Sequence, residues 1–358
     1  MHRPIRLPVT GLSVATALLL AACSGTQPSA PSMTASASTA ATPSETASPS
    51  TAASGPIETS GIFTFPDGEE PAVTRELTGI DEKYINPGAV IDDGETLHMF
   101  ANVFTGWPGH VSMPHLTSSD GATWTLASPE PVLTSDDFPL ADPGADVSTG
   151  FIADDGTWVL IYQTVTTGSP WVLGLATAPG PDGPWTVDPD PILEIGAAGS
   201  WDAAGHSWPS VVKTDDGYQM FFTGFDKSRA SGGIGAIGLA TSTDGVTWTK
   251  RDEPVLTAEA EWEGGSLDRP RAVVTPDGLL MVYAGRDLTD RGLAQSSDGV
   301  SWERQGDAPV LTDADLVVAY NCWDAALVYR DGTLTYYLEI GGTGSSGTQV
   351  YRLTAELP

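Results

Sequence analysis

From residue 86 onward the chain alternates between short apolar runs and polar turns, with a period near 60 residues. Five segments share one pattern, an apolar run, an Asp-Gly turn and a second apolar run. They are NPGAVIDDGETLHMF from Asn86, VSTGFIADDGTWVLIY from Val147, WPSVVKTDDGYQMFF from Trp208, RPRAVVTPDGLLMVY from Arg269 and WDAALVYRDGTLTYY from Trp323. Asp-Gly between such runs predicts a β-hairpin. A second series, SSDGATW, PGPDGPW, STDGVTW and SSDGVSW, ends at Trp124, Trp185, Trp248 and Trp302. Segments of the Pro-Val-Leu type start at Pro71, Pro131, Pro191, Pro254 and Pro309, with spacings of 60, 60, 63 and 55 residues. Each unit therefore reads as four antiparallel strands, A to D. Five such units predict an all-β fold, a five-bladed β-propeller. The last copy, Asn321 to Leu357, lacks strand D, and the orphan stretch from Phe63-Thr64-Phe65 to Val73 resembles it. The N-terminal strand is thus expected to complete the last blade and close the ring, which hides the open sheet edges. No segment sustains a 3.6-residue period with caps, so helical folds are excluded.

In a propeller strand A lines the central channel and the Asp-Gly turns share one rim. The D-to-A and B-to-C connections then share the other rim, the mouth. The Asp-Gly turns that end in Trp recur in four units and read as structural, with each Trp packing between blades. Recurrence also separates fold from function. Trp201-Asp202 aligns with Trp262-Glu263, so Asp202 and Glu263 are assigned to the fold. His206, Asp268, Arg269 and Arg271 break the repeat and are better functional candidates. Carboxyls expected at the mouth are Asp81, Glu82, Asp146, Asp268, Asp324 and Glu339. Trp107, Trp171, Trp208 and Trp323 fall on mouth loops or strand starts, where aromatic faces can stack on sugars or pack in the core.

The N-terminus reads differently. Residues 2–6 are basic, Gly11 to Leu20 is a short apolar run, and Leu20-Ala21-Ala22-Cys23 follows. This run is too short to span a bilayer and predicts a signal peptide over residues 1–22. The last four residues resemble a bacterial lipobox, which implies lipidation at Cys23 and an anchor on the extracytoplasmic face of the cell membrane. Residues 23–60 are rich in Ser, Thr, Ala and Pro and are expected to be a disordered spacer. The propeller domain is expected over 61–358. The net charge is −30, which disfavours nucleic acid as a partner. With two Cys and five His, a zinc site is not expected. Cys322 alone reads as a small buried hydrophobe. The residues call for no cofactor and leave a channel Ca²⁺ open, and they set no oligomeric state.

The segment from Pro209 to Gly224, followed by GLATSTDGVTW at 238–248, resembles the five-bladed propeller glycoside hydrolases. That group spans family 43 arabinanases, β-xylosidases and arabinofuranosidases, the invertases and levansucrases, and the β-mannoside phosphorylases. The resemblance covers residues 61–358 and is more specific for the fold than for a substrate. It implies glycosidic bond hydrolysis by a carboxylate pair at the mouth. In the arabinanase branch an Asp precedes the Pro of the first inner strand, and here that position is Asn86. A second Asp precedes the corresponding Pro of blade three, and here it is Trp208. A Glu lies two residues before the Pro of blade four, and here it is Asp268. The invertase branch adds an Asp from blade two, matched by Asp146.

Asp146 and Asp268 are accordingly the candidate catalytic residues. Asn86, His206, Trp208, Arg269, Arg271 and Trp323 are the candidate substrate-binding residues, and Cys23 the lipidation site. The two arginines can lower the pKa of Asp268, bind sugar hydroxyls or an anion, or serve structural salt bridges. A carbohydrate is the expected partner, with the membrane contacted only through Cys23. Loss of the acids at Asn86 and Trp208 leaves a non-catalytic glycan-binding protein as the alternative, and a scaffold for a protein partner as a third.

Overall fold

The computed structural model describes residues 62–357, apart from 67, 69, 167–169, 317–320 and 342–346. The signal peptide, Cys23 and the spacer lie outside the described residues. Five antiparallel sheets follow one another along the chain. Blade one holds β1 (Tyr84–Asp92), β2 (Leu97–Phe104), β3 (Val111–Met113), β4 (His115–Ser118), β5 (Thr125–Leu126) and β6 (Leu133–Thr134). Blade two holds β7 (Pro143–Ile152), β8 (Trp158–Thr166), β9 (Leu173–Ala178) and β10 (Thr186–Val187). Blade three holds β11 (His206–Thr214), β12 (Gly217–Phe225), β13 (Gly235–Ser242) and β14 (Thr249–Lys250). Blade four holds β15 (Asp268–Thr275), β16 (Gly278–Ala284), β17 (Arg291–Ser296) and β18 (Glu303–Arg304). Blade five holds β19 (Asn321–Arg330), β20 (Thr333–Gly341) and β21 (Thr348–Glu356). The expected five-bladed all-β propeller is therefore the observed fold.

Blade one departs from the four-strand pattern for a local reason. Its third strand is cut in two at Pro114, which has no N–H to donate, and both halves pair with β2. The Pro-Val-Leu segments have a structural role the sequence did not reveal. Leu256 bridges Ile237, Leu311 bridges Arg291, and β6 at Leu133 pairs with Met113. Each segment returns to strand C and extends the short outer strand toward the mouth. The N-terminal stretch closes the ring as expected. Thr64 bridges Thr354 and Val73 bridges Val350 on β21, while the Phe63 ring packs 5.5 Å from Tyr336.

The core is divided among the blade interfaces. Five apolar clusters lie between blades one and two, two and three, three and four, four and five, and five and one. The turn tryptophans supply part of four of the five seals, each on the preceding blade: Trp185 meets Phe100, Trp302 meets Phe221, and Trp124 meets Tyr337 across the closure. In the turns themselves, Asp244 accepts from the N–H groups of Val246 and Thr247 at 2.8 and 2.7 Å. Those bonds to the charged form bring its pKa down to about 2, as they do for Asp120.

Candidate active site

All five inner strands carry a register shift near the mouth. It falls between Asn86 and Ala89, Val147 and Thr149, Ser207 and Ser210, Asp268 and Arg271, and Cys322 and Ala325. A bulge breaks the in-out alternation and redirects side chains, here at the channel mouth. Trp208 and Arg269 sit at two of these bulges with φ of +47° and +49°, in the left-handed region. For residues with a Cβ this costs on the order of 1–3 kcal/mol each. In blade one the left-handed residue of the bulge stands two positions later in the repeat, at Gly88 with φ +55°.

A buried polar group on each blade fixes the bulge of the next. Val147 N–H donates to Asn102 Oδ1 (3.0 Å), Trp208 N–H to Gln163 Oε1 (2.6 Å) and Arg269 N–H to Thr223 Oγ1 (3.0 Å). Between blades four and five the fully buried Arg291 donates to Cys322 O at 3.2 Å. Between blades five and one Thr348 Oγ1 accepts from Ile85 N–H at 2.9 Å. These contacts form a ring around the channel, so the mouth side chains project from a fixed frame.

They line a cavity of about 290 Å³. One wall is aromatic and runs from Phe104 to Trp107, Trp171 and Trp208, with successive ring centroids 5.6, 6.4 and 5.1 Å apart. The Arg269 guanidinium continues the line, 3.9 Å from the Trp208 ring. Trp323, 39 % exposed, also lines the cavity, as does Asn86. The remaining lining includes Asp146, Asp324, Glu339, Arg229 and Leu288.

The acidic groups divide into two kinds. Asp146 and Glu339 are buried and form no ion pair among the described residues. Burial, with the nearby Asp324 charge, holds the Asp146 pKa well above the usual carboxylate range. The same two causes push Glu339 up to about 8. At about 8, Glu339 holds a proton at neutral pH. Asp146 Oδ1 and Glu339 Oε1 are buried with no hydrogen-bond partner among the described residues. Asp324 and Asp268, in contrast, are paired with arginines. Asp324 Oδ1 accepts from Arg271 Nη2 at 2.5 Å and from Ala325 N–H at 2.8 Å, which leaves Oδ2 free.

Three residues expected at the mouth sit beneath it instead, and none of them lines the cavity. Both Asp268 oxygens are occupied, Oδ1 by Thr223 Oγ1 (3.2 Å) and Arg269 N–H (2.9 Å), Oδ2 by Arg229 Nη1. Arg271 crosses the channel and reaches four blades. Besides Asp324 and the Ala325 carbonyl it donates to Ser148 Oγ (3.2 Å), Trp208 O (3.2 Å), Pro209 O (3.3 Å) and Pro270 O (2.9 Å). It plugs the floor of the site. His206 is fully buried, with Nε2 2.9 Å from Asp202 Oδ2. Burial lowers its pKa. Its backbone N–H donates to Trp171 O at 2.9 Å and so supports the aromatic wall. Asp81 and Glu82 do not line the cavity. Asp202, paired with Lys250 and Ser200, and Glu263, paired with Arg304 and Tyr283, serve the fold. Among the described residues no group of three or more His, Cys, Asp or Glu is arranged to hold a metal ion.

Arg229, Leu288 and Phe104 reach the cavity from loops or strand ends with no repeat signature, so nothing in the sequence marks them. Glu339 stands in the sequence as one of six mouth carboxyls. Its signal was a carboxyl in the otherwise apolar strand TYYLEIG.

Comparison with known proteins places the molecule in a class. Its fold is that of the five-bladed propellers of glycoside hydrolases and related phosphorylases. One such structure comes from glycoside hydrolase family 130, described as mannoside phosphorylases that include hydrolases targeting β-1,2-mannosidic linkages in Candida mannan. It matches at TM-score 0.61 and 18% identity over 85% of this chain and 98% of that one. The Listeria innocua β-1,2-mannobiose phosphorylase matches at TM-score 0.60 and 14% identity, over 82% and 96%. More particularly, the family whose model matches residues 208–334 is the β-1,4-mannooligosaccharide phosphorylase family, family 130. This corrects the expected likeness to family 43: the match over blades three and four falls on the mannoside branch. A 1,2-β-oligomannan phosphorylase of Thermoanaerobacter sp. is 28% identical over 125 residues, 32% of this chain and 42% of that protein. An uncharacterized protein of Mycobacterium tuberculosis is 30% identical over 129 residues, 33% and 43%. The chain thus spans less than half the length of the curated relatives it matches.

Proposed function

We propose that this protein is a carbohydrate-active enzyme that cleaves a mannosidic bond in an oligosaccharide. The observation that carries the reading is the pair of buried carboxyls, Asp146 and Glu339, each with an unpartnered oxygen, in one aromatic-walled cavity. Glycosidic cleavage requires an acid to protonate the leaving oxygen, and burial is a recognised way to keep a carboxyl protonated for that task. Asp146 is assigned this role. Asp268 acts from beneath, fixing Arg229 and the Arg269 backbone. The mannoside class follows from the family match and from the relatives' activities, and either water or phosphate is the acceptor.

The test is product formation from β-1,4- and β-1,2-linked mannooligosaccharides, with and without inorganic phosphate. Turnover is expected, and Asp146→Asn should lower kcat by about 10²–10⁴-fold while the protein stays folded. The second reading is a glycan-binding protein without turnover, favoured by Asn86 and Trp208 at two positions where the family 43 likeness implies acids. Tight binding with no product in either condition would establish it.

We also propose that the chain is a lipoprotein held on the extracytoplasmic face of the cell membrane through Cys23, with residues 23–60 as tether. The support is the lipobox-like Leu20-Ala21-Ala22-Cys23 after a short apolar run. Lipid chains bind through about 0.8 kcal/mol per buried CH₂. Labelled palmitate should be incorporated by the wild type and not by Cys23→Ser. Equal labelling of both would refute it.

A further inference from the structure

Among the described residues, Asp268, Asp324, Arg229 and Arg271 around the cavity are all hydrogen-bonded within the protein. Asp268 has Arg229, Thr223 and a backbone N–H, Asp324 has Arg271, and every nitrogen of Arg271 has an acceptor. Arg269 differs. It is 8 % exposed, and its Nε and Nη1 make no hydrogen bond. The Asp268 oxygen within salt-bridge reach of Nη1 lies 3.6 Å away and already takes Arg229. The backbone of Arg269 is left-handed at the blade four bulge. A buried cation with idle donors and a strained backbone works against the empty fold.

We infer that Arg269 is a ligand-binding arginine, kept at the expense of the free protein's stability, whose idle N–H groups are taken up by oxygens of a neutral sugar residue seated against Trp208. The inference rests on the carbohydrate reading above and deepens it. The ligand's chemistry follows from the other unpartnered atoms in the same cavity. Asp324 Oδ2 can only accept a hydrogen bond, whereas Arg269 Nε and Nη1 can only donate. A free oxyanion answers Arg269 and is repelled by Asp324. A sugar ring answers both, because each hydroxyl donates and accepts. The Trp208 face, with the guanidinium stacked beside it, offers an apolar platform for the ring's C–H face.

The prediction separates stability from binding. Arg269→Gly removes the buried idle donors and the left-handed Cβ together. Asp268 keeps its other three partners. Arg269→Lys keeps the charge and the backbone strain but loses the planar stack. Melting of the full chain is measured for both variants and wild type, alone and with β-1,4-mannobiose, β-1,2-mannobiose or inorganic phosphate. Arg269→Gly should melt about 2 °C or more above wild type, and Arg269→Lys should not. One of the disaccharides should raise the wild-type Tm, and both variants should bind it at least tenfold more weakly. An Arg269→Gly protein that melts lower and binds mannobiose as well as wild type would overturn the inference while leaving the enzymatic reading intact. Stabilisation by phosphate alone, lost in Arg269→Gly, would overturn the neutral-sugar ligand in favour of an anion. No shift with either disaccharide would remove the mannoside reading and this ligand together.

Discussion

Glu339 shows how one position on a strand sets the chemistry of a site. It lies on β20, one strand out from the channel, buried beside Asp324, whose N–H donates to its Oε2 at 3.3 Å. Its pKa rises from the ordinary 4.5 to about 8. The sign of the linkage is fixed by that direction. Between the two values the native protein keeps a proton that the unfolded chain releases. The stability this group contributes is complete below 4.5 and is lost as pH climbs toward 8, at about 1.4 kcal/mol for each unit. Glu339→Gln abolishes that slope, since the amide does not titrate. Denaturant unfolding across this range should show the wild type losing more stability than the variant. If Glu339 also donates to substrate, the alkaline limb of kcat/KM near pH 8 should vanish in Glu339→Gln. Parallel stability curves for the two proteins would show that the group does not hold its proton in the fold.

At the scale of elements, the repeat was legible because strands announce themselves by alternation and Asp-Gly turns by their backbone needs. Five units, the closing strand and the role of the turn tryptophans all follow from those signals. The bulges were not legible. A register shift depends on how two strands pair, and nothing in WPSVVK or RPRAVV marks the extra residue. Without the bulges, the depth of each mouth residue was out of reach. Asp268 and Arg271 were correctly marked as repeat-breaking, yet they sit under the cavity and hold its floor. The inter-blade contacts of Asn102, Gln163 and Thr223 were invisible for the same reason. Each is an ordinary polar residue on strand B, distinguished only by the N–H it meets on the next blade. Those N–H groups belong to bulge positions that have left the strand ladder. A buried donor without an acceptor costs about 1–3 kcal/mol, so the ring of contacts is what makes the bulges tolerable.

For the molecule as a whole, the decisive contact is the one that joins its two ends. Five interfaces share the core, and four of them are between blades adjacent in sequence. The fifth, between blades five and one, must be made by residues roughly the whole chain apart. It includes Val73 and Trp124 packed with Tyr337 and Val350. The N-terminal stretch secures it by pairing with β21 at Thr64 and Val73, and Phe63 fills the neighbouring blade four and five cluster. A chain beginning at Thr74 would lose the contacts of Phe63, Thr64 and Val73 and expose β21 as a free edge. Phe63→Ala alone removes a side chain that is 7 % exposed, and large-to-small changes of this kind cost about 3–5 kcal/mol. The shortened chain should melt well below Phe63→Ala, and it should self-associate on a sizing column, because an unpaired edge recruits another strand. Substrate turnover should fall with it, since β19 carries Trp323 and Asp324 to the cavity from the blade that loses its outer strand. A shortened chain that melts like the full one and stays monomeric would mean that blades five and one hold the ring shut without the strand.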